Sequence, residues 1–324
     1  MQQFFVARSI SALKSYIGSL PLGVAIGNFD GLHLGHQRLA TSLVESSALQ
    51  DQNAIPIVLS FYPHPRVFFE KQHKNLSVDL GRLNPILSLP EKGQLLKSWK
   101  IAGMWLQRFT DDFANQSPQE FVEHCLLPLP NLKLVVVGHD WQFGKARSGN
   151  AALLRELLKP HGIEVQIIEP VMHAGTRVST SQVKAALDRG AVEALPELLG
   201  RRFVMRGVVS HGDARGRKLG IQTLNIRPRL RYLPREGVYI TEALIKDHRY
   251  PAVSNLGVRP TFGSGSPRLL ETHILSAQIP ELYGSQVEVI FHQRLRDEQK
   301  FDSAEALRTQ ITNDIAQARK YFGI

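Results

Sequence analysis

The chain has 324 residues, 43% of them hydrophobic and 21% charged; these proportions exclude a collagen-like repeat and a disordered polymer, and the length favours two domains over one. Its single cysteine, Cys125, excludes an internal disulfide and a multi-cysteine metal cluster. The net charge of +10 is uneven, with 19 Lys+Arg against 17 Asp+Glu in residues 1–200 and 20 against 12 in residues 201–324, a surplus compatible with nucleic acid, acidic lipid or phosphorylated small molecules.

The opening stretch MQQFFVARSISALKSY has no cationic segment ahead of an apolar run. No later window approaches the roughly 18 uninterrupted apolar residues of a membrane span. The expectation is a cytoplasmic protein with no membrane partner. LGVAIGNF then reads as a strand, 36–49 as a helix and IPIVLSF as a strand. PEKGQLLKSWKIAG reads as a helix, MWLQRF as a strand, SPQEFVEHCLLPL as a helix with Cys125 in the core, and LKLVVVG as a strand. Residues 149–161 read as a helix and EVQIIEP as a strand. Near-continuous apolar strands alternating with helices are the signature of a parallel sheet covered on both faces, so the fold class is α/β and doubly wound.

Helices at 181–189 and 192–199 close this part, and LLGRRF marks a boundary between domains 1–200 and 201–324. Beyond it, FVMRGVVS, GVYITEALI, LLETHILS and QVEVIFHQRL are short strands separated by Gly/Pro turns, which predict an antiparallel barrel or sandwich. A helix from Ser303 to Phe322 ends the chain.

The stretch GNFDGLHLGHQ, Gly27 to Gln37, joins a buried strand to a helix. Ligands of open α/β sheets bind beyond the carboxyl ends of strands, where a helix N-terminus offers N–H groups to an anion. His33 and His36 share one face of the first turn, and Gly35 removes a side chain from the path of a phosphate. Two imidazoles there could donate hydrogen bonds to a phosphoryl group as charge builds during in-line displacement. The plainer alternatives are a DG turn with incidental histidines or half of a metal site, which lacks a third and fourth ligand nearby. His-x-Gly-His after a strand is a hallmark of α/β nucleotidyltransferases, a resemblance that leaves the acceptor open.

Further stretches narrow it. SFYPHPRVFF (60–69), LVVVGHDWQFGKARSGN (134–150) and RVSTSQVKAAL (177–187) resemble, in order and spacing, the adenylyltransferase half of bacterial bifunctional riboflavin kinase/FAD synthetases. The resemblance implies a Rossmann-like nucleotidyltransferase domain. Gly27, Asp30 and Gly35 would lie on the nucleotide, Asp140 would face the flavin and nucleotide cleft, and Arg177, Ser179, Thr180, Ser181 and Lys184 would contact ATP phosphates. The family usually has Arg where Lys184 stands. Phe61, Tyr62 and Trp141 could wall an isoalloxazine ring, although aromatics are more often core.

In the second part, Gly212, Gly216 and Gly220 recur among Arg215, Arg217 and Lys218, a backbone that can turn its amides toward phosphate. Thr223 and Asn225 lie two apart on a strand and point to the same side, and a hydroxyl with a carboxamide oxygen suits Mg²⁺. These stretches resemble the riboflavin kinase half of the same family, with Gln222 in place of its usual proline. In LLETHIL, Leu269, Glu271, His273 and Leu275 share a face; a carboxylate among leucines would have its pKa raised by desolvation, as a general base requires. The family's catalytic Glu falls at Glu271. The resemblance covers nearly all of residues 20–322 and implies two reactions. Riboflavin and ATP would give FMN and ADP in a riboflavin kinase-like barrel with a terminal helix; FMN and ATP would then give FAD and pyrophosphate in the first domain, with Mg²⁺ as cofactor and ATP as co-substrate. No nucleic acid is expected as a partner. The alternatives are a chain with one working site, or a flavin- or nucleic-acid-binding regulator on the same scaffold.

Overall fold

The most apolar runs of the first half become the strands of one sheet. A computed structural model describes residues 3–46, 54–72, 83–210, 223–228, 232–258, 268–275 and 282–324. By contact density the chain divides into two units, Met1–Thr180 and Ser181–Ile324, a division that falls ahead of the boundary expected at residue 200.

The first unit contains β1 (Phe5–Ala7), α1 (Ile10–Ile17), β2 (Leu22–Ile26), α2 (Leu34–Glu45), β3 (Ile55–Tyr62), α3 (Pro65–Gln72), α4 (Leu89–Ser98), β4 (Gly103–Arg108), β5 (Leu132–Gly138), α5 (Ala151–Leu158) and β6 (Glu164–Ile168). The sheet order is β1-β4-β3-β2-β5-β6, with every neighbour parallel. The chain runs outward from β2 through β3 to β4, then returns to lay β5 on the other side of β2. The carboxyl end of β2 is therefore a topological switch point. All five residues of β2 are buried, and Val24, Ile26, Ile57, Leu59, Val135 and Val137 build one core, each contributing about 1.5–3 kcal/mol by burial.

Helix ends follow local chemistry. Ser9 Oγ caps α1 through the Ala12 N–H at 3.1 Å, Asn150 Oδ1 caps α5 through the Leu153 N–H at 2.9 Å, and Ser88 with Glu91 forms a capping box on α4. The helix expected over 36–49 starts at Leu34 and ends at Glu45. The one expected over 117–129 is a short helix, Pro118–Phe121, continued by a π-type turn, Val122–Leu126; Pro128 cannot extend it. Cys125 is buried, and burial alone pushes its thiol far above the ordinary cysteine range.

The second unit holds α6 (Thr180–Arg189), α7 (Leu195–Leu199) after a 3₁₀ turn at Val192–Ala194, β7 (Val204–Ser210), β8 (Thr223–Pro228), β9 (Gly237–Ile245), β10 (His248–Val258), β11 (Arg268–Ile274), β12 (Gln286–Arg296) and α8 (Ala304–Phe322). The strands close an antiparallel barrel in the order β7-β8-β11-β10-β9-β12, which settles the barrel-or-sandwich alternative. Closure leaves no open sheet edge. Inside the barrel, the hydroxyls of Thr241, Ser254 and Thr272 form a fully buried chain, at 2.7 and 2.9 Å. Helix α8 covers Val238, Ile240, Val253 and Leu275 with Ala318, and is pinned by Arg296, whose guanidinium holds the buried Asp314 carboxylate through Nη2 at 2.7 Å and Nε at 3.1 Å.

The segment after α6 holds to this unit. Tyr232 Oη donates to the Asp188 carboxylate at 2.7 Å and the Arg235 N–H to Leu187 O at 2.8 Å. A Cβ on Gly190 would lie 2.5 Å from the Arg294 side chain, so only glycine lets the turn close there.

Candidate active sites

In the first unit, the turn after β2 is tightly wound: Phe29, Gly31 and Leu32 have φ of 49°, 74° and 48°. A Cβ on Gly31 would stand 2.9 Å from Ile86 Cδ1, so glycine is required there on both counts. Asp30 is 3% exposed, and its Oδ1 accepts the Ile86 N–H at 2.8 Å. This carboxylate, expected on the nucleotide, anchors the segment that leads into α4.

His33 occupies the N-cap position of α2, and its side chain makes no capping bond. The N-cap side chain of α2 thus differs from Ser9 and Asn150, whose oxygens cap α1 and α5. The His33 and His36 rings stack with centroids 3.8 Å apart, and His36 lies against Phe29 at 5.1 Å. Their relative exposures are 8% and 9%. The pairing on one face of the first turn is as expected. At Gly35 a Cβ would sit 3.1 Å from the His33 ring and 3.7 Å from Val178 O, so the missing side chain makes room for the imidazole.

The same contacts draw in the 177–180 stretch. Thr180 Oγ1 donates to Asp30 O at 3.2 Å, and Arg177 pairs with Asp140, both side chains about half exposed. Three stretches distant in sequence, 27–36, 138–140 and 177–180, therefore meet beyond the ends of β2 and β5. Ser179 is half-buried, while Ser181 is exposed. Lys184, on α6 in the second unit, places Nζ 4.6 Å from the centroid of the Tyr232 ring.

The aromatic wall is corrected. Phe61 packs with Phe109 and Phe113, Trp141 stacks on Phe143 at 4.7 Å, and both border the core. Tyr62 is 61% exposed, with the Arg8 guanidinium 5.9 Å from its ring. The three do not form one surface, because the side chains of β3 alternate between faces.

In the barrel, register does the assembling. Thr223 lies opposite His273, Asn225 opposite Glu271, and Glu271 opposite Asn255 on the other side. Directly opposed residues share a face, so Thr223, Asn225, Glu271, His273 and Asn255 form one patch on the outer face of β8, β11 and β10. The expected desolvation of Glu271 is overturned: Glu271 is exposed, although Leu269 and Leu275 beside it are buried. Strand alternation sends Leu270, Thr272 and Ile274 into the barrel and turns Glu271 outward. Gly212, Gly216, Lys218 and Gly220 lie outside the described residues.

The donor set on this patch, a hydroxyl, a carboxamide and a carboxylate, consists of hard oxygens, which fits Mg²⁺. Among the described residues no group of three or more His, Cys, Asp and Glu could hold a metal, and no helix is long and apolar enough to cross a membrane. Sequence reasoning passed over Asn255 and Glu298, whose side chains meet through Asn255 Nδ2 and Glu298 Oε1 at 2.9 Å; the one signal available was the Asn-x-Gly spacing of Asn255 and Gly257.

Comparison with known proteins covers both parts of the chain. The family model for FAD synthetase matches residues 20–182 and that for riboflavin kinase residues 199–322. Among curated relatives, the bifunctional riboflavin kinase/FMN adenylyltransferase of Escherichia coli (strain K12) is 32% identical over 93% of this chain and 93% of its own length. That of Pseudomonas fluorescens is 34% identical over 91% of each. A crystal structure described as a macrolide-efflux protein from Streptococcus pneumoniae superposes with a TM-score of 0.82 at 29% identity, covering 94% of this chain and 96% of that one. The chain belongs to the family of bifunctional riboflavin kinase/FMN adenylyltransferases.

Proposed function

We infer that the chain converts riboflavin to FMN and FMN to FAD, with ATP as co-substrate in both steps and ADP and pyrophosphate as the respective products. The observation that carries this reading is the presence in one chain of both constellations, each assembled by its own fold.

The first reaction, assigned to residues 201–324, needs a base. The alcohol of riboflavin must lose its proton as it attacks the γ-phosphate, and Glu271 takes that proton. Thr223 and Asn225 would hold Mg²⁺, which when bound supplies positive charge against the triphosphate. Exposure suits the base, because it leaves the carboxylate open to an incoming alcohol.

The second reaction, assigned to residues 1–200, needs no base, since the phosphate of FMN is already anionic at neutral pH, with a second pKa of about 6. It needs placement and charge stabilisation. The first-turn amides of α2 and the N–H groups of His33 and His36 would receive the transferring α-phosphoryl group, with the 177–180 stretch on the remaining phosphates. The cytoplasm is the proposed compartment.

Incubating the protein with riboflavin, Mg²⁺ and ATP and separating flavins by chromatography tests the reading. FMN should appear first and FAD after it. FMN that accumulates without FAD, or FAD formed only from added FMN, would leave one working site.

A further inference from the structure

The α/β unit holds a cation that helix stability does not call for. Lys92 lies in the first turn of α4, where the helix dipole disfavours positive charge, whereas Lys97, in the last turn, stands where a lysine stabilises the helix. Side chains of a helix lean toward its N-terminus, and Lys92 reaches back over the start of α4. It is half-buried, and its Nζ lies 3.5 Å from Asn28 O, in the turn that follows β2.

The start of α4 is fixed to that turn. Glu91 Oε2 accepts the Ser88 N–H at 2.8 Å and its hydroxyl at 2.6 Å, which sets the first turn of the helix. Ahead of it, the Ile86 N–H donates to Asp30 Oδ1 at 2.8 Å, so the segment carrying Lys92 and the turn carrying Asn28 are bonded twice over. Asn28 O also accepts the hydroxyl of the buried Ser60, on β3, at 3.0 Å. A carbonyl oxygen has two lone pairs, and here one faces β3 and the other α4.

The side from which Lys92 arrives decides what it can serve. Helix α4 packs on β4, and a Cβ on Gly93 would stand 3.1 Å from the ring of Phe4, just ahead of β1. It therefore covers the β1-β4-β3 half of the sheet. The 177–180 stretch comes from the other half: Arg177 pairs with Asp140, which follows β5, and the Val178 N–H donates to Val171 O, beyond β6, at 2.8 Å. Strand β2 and its turn lie between the two halves. In an in-line displacement the nucleophile and the leaving group stand on opposite sides of the phosphorus. With the 177–180 stretch on the departing phosphates, Lys92 faces the nucleophile.

We propose that Lys92 binds the phosphate of FMN as it enters the adenylylation site. The inference rests on the adenylyltransferase reading of this unit. An oxygen of the FMN phosphate forms the new bond to the α-phosphorus of ATP, the bond from that phosphorus to the β-phosphate oxygen breaks, and pyrophosphate leaves with the bonding pair. No proton moves. The ammonium offsets the repulsion between two phosphate anions brought side by side, through a charge-assisted hydrogen bond to the incoming one.

The test is steady-state adenylylation of supplied FMN by the full chain, with FMN and ATP varied in turn, for the parent, Lys92→Met, Lys92→Gln and Lys92→Arg. Lys92→Met should raise the KM for FMN by about 10–100-fold, the worth of one hydrogen bond to a charged group, and leave the KM for ATP within about threefold. Lys92→Gln keeps a donor for Asn28 O and loses the charge, so it should match Lys92→Met; Lys92→Arg keeps the charge and should stay near the parent. Should Lys92→Met fail to fold, the other two variants decide by the same criterion. A parental KM for FMN in Lys92→Gln would make the contact with Asn28 structural and overturn the inference. A rise confined to the KM for ATP would place the ammonium on the triphosphate and overturn it as well. A parent that forms no FAD from FMN overturns the reading of the unit itself, whereas unmoved kinetics in an active parent overturn only the role of Lys92.

Discussion

The two units set their proposed chemistry in opposite surroundings. In the α/β unit two imidazoles are buried and stacked at a helix N-terminus, their places fixed by Gly35 and by a turn of left-handed residues. In the barrel a carboxylate stands exposed on a strand, flanked by two asparagines through register alone. The difference matches what each reaction demands. A phosphate nucleophile brings its own charge and asks for a preorganised receiver of negative charge, which works best away from water. An alcohol nucleophile asks for a base within reach, which the outer face of the barrel supplies.

The most severe way to break this comparison is to remove the base. Glu271→Gln should lower FMN formation by about 10²–10⁴, the usual worth of a positioned general base, while FAD formation from supplied FMN stays within twofold of the parent. Loss of both with an unchanged circular dichroism spectrum would mean that the activities share a site.

Removing a buried donor is the next step down. His36→Ala should reduce the turnover of FMN adenylylation by about 10²–10³, the effect of deleting one preorganised hydrogen-bond donor. The KM for FMN should change far less, since the contact matters mostly in the transition state. Riboflavin phosphorylation is the internal control. His36 also touches Phe29, so a lowered melting temperature alongside unchanged adenylylation would make the ring structural.

Much of this contrast is legible in the sequence. The strands of the parallel sheet were legible because buried strands are apolar throughout, and the His-x-Gly-His turn because it follows such a strand. Thr223 and Asn225 were legible as a pair from a spacing of two. The exposure of Glu271 was not: Leu269 and Leu275 flank it in sequence, but only closure of the barrel decides which face is inside, and only α8 explains why Leu275 is buried on the outside. Strand β10 escaped notice because Pro251 interrupts its pattern. With β10 went the place of Asn255 opposite Glu271, which depends on a cross-strand register that no local pattern encodes.

The independence of the units can be tested through stability. Asp314 is almost fully buried and bonded by Arg296, and also by Gln310 Nε2 at 2.9 Å. Asp314→Ala leaves the guanidinium without its counter-charge and should cost about 3–5 kcal/mol, the usual penalty for halving a buried pair. In urea, riboflavin phosphorylation should fail at a lower concentration than in the parent while adenylylation fails where it did before. Coincident loss would show that the two units unfold as one.

The smallest effect concerns a third buried histidine, which sharpens the contrast because it lies in the barrel and serves no proposed chemistry. His292 Nε2 meets Glu242 Oε2 at 2.7 Å, and Nδ1 meets Tyr321 Oη of α8 at 3.3 Å. Burial pushes its pKa below the ordinary histidine value; the hydrogen bond to Glu242 opposes that, and Arg202 and Arg249 add to it. The sign follows from linkage. The unfolded chain binds the proton more readily than the folded one, so the stabilising contribution is complete above the unfolded value of about 6.5 and is lost as pH falls through it toward the lowered folded value. Urea midpoints for loss of phosphorylation, measured between pH 8 and pH 5, should therefore decline with falling pH in the parent. The decline should be shallower in His292→Gln, which keeps a donor for Glu242 and cannot titrate. Equal declines would mean that the attraction of Glu242 balances burial, and that the barrel holds this histidine as readily charged as neutral.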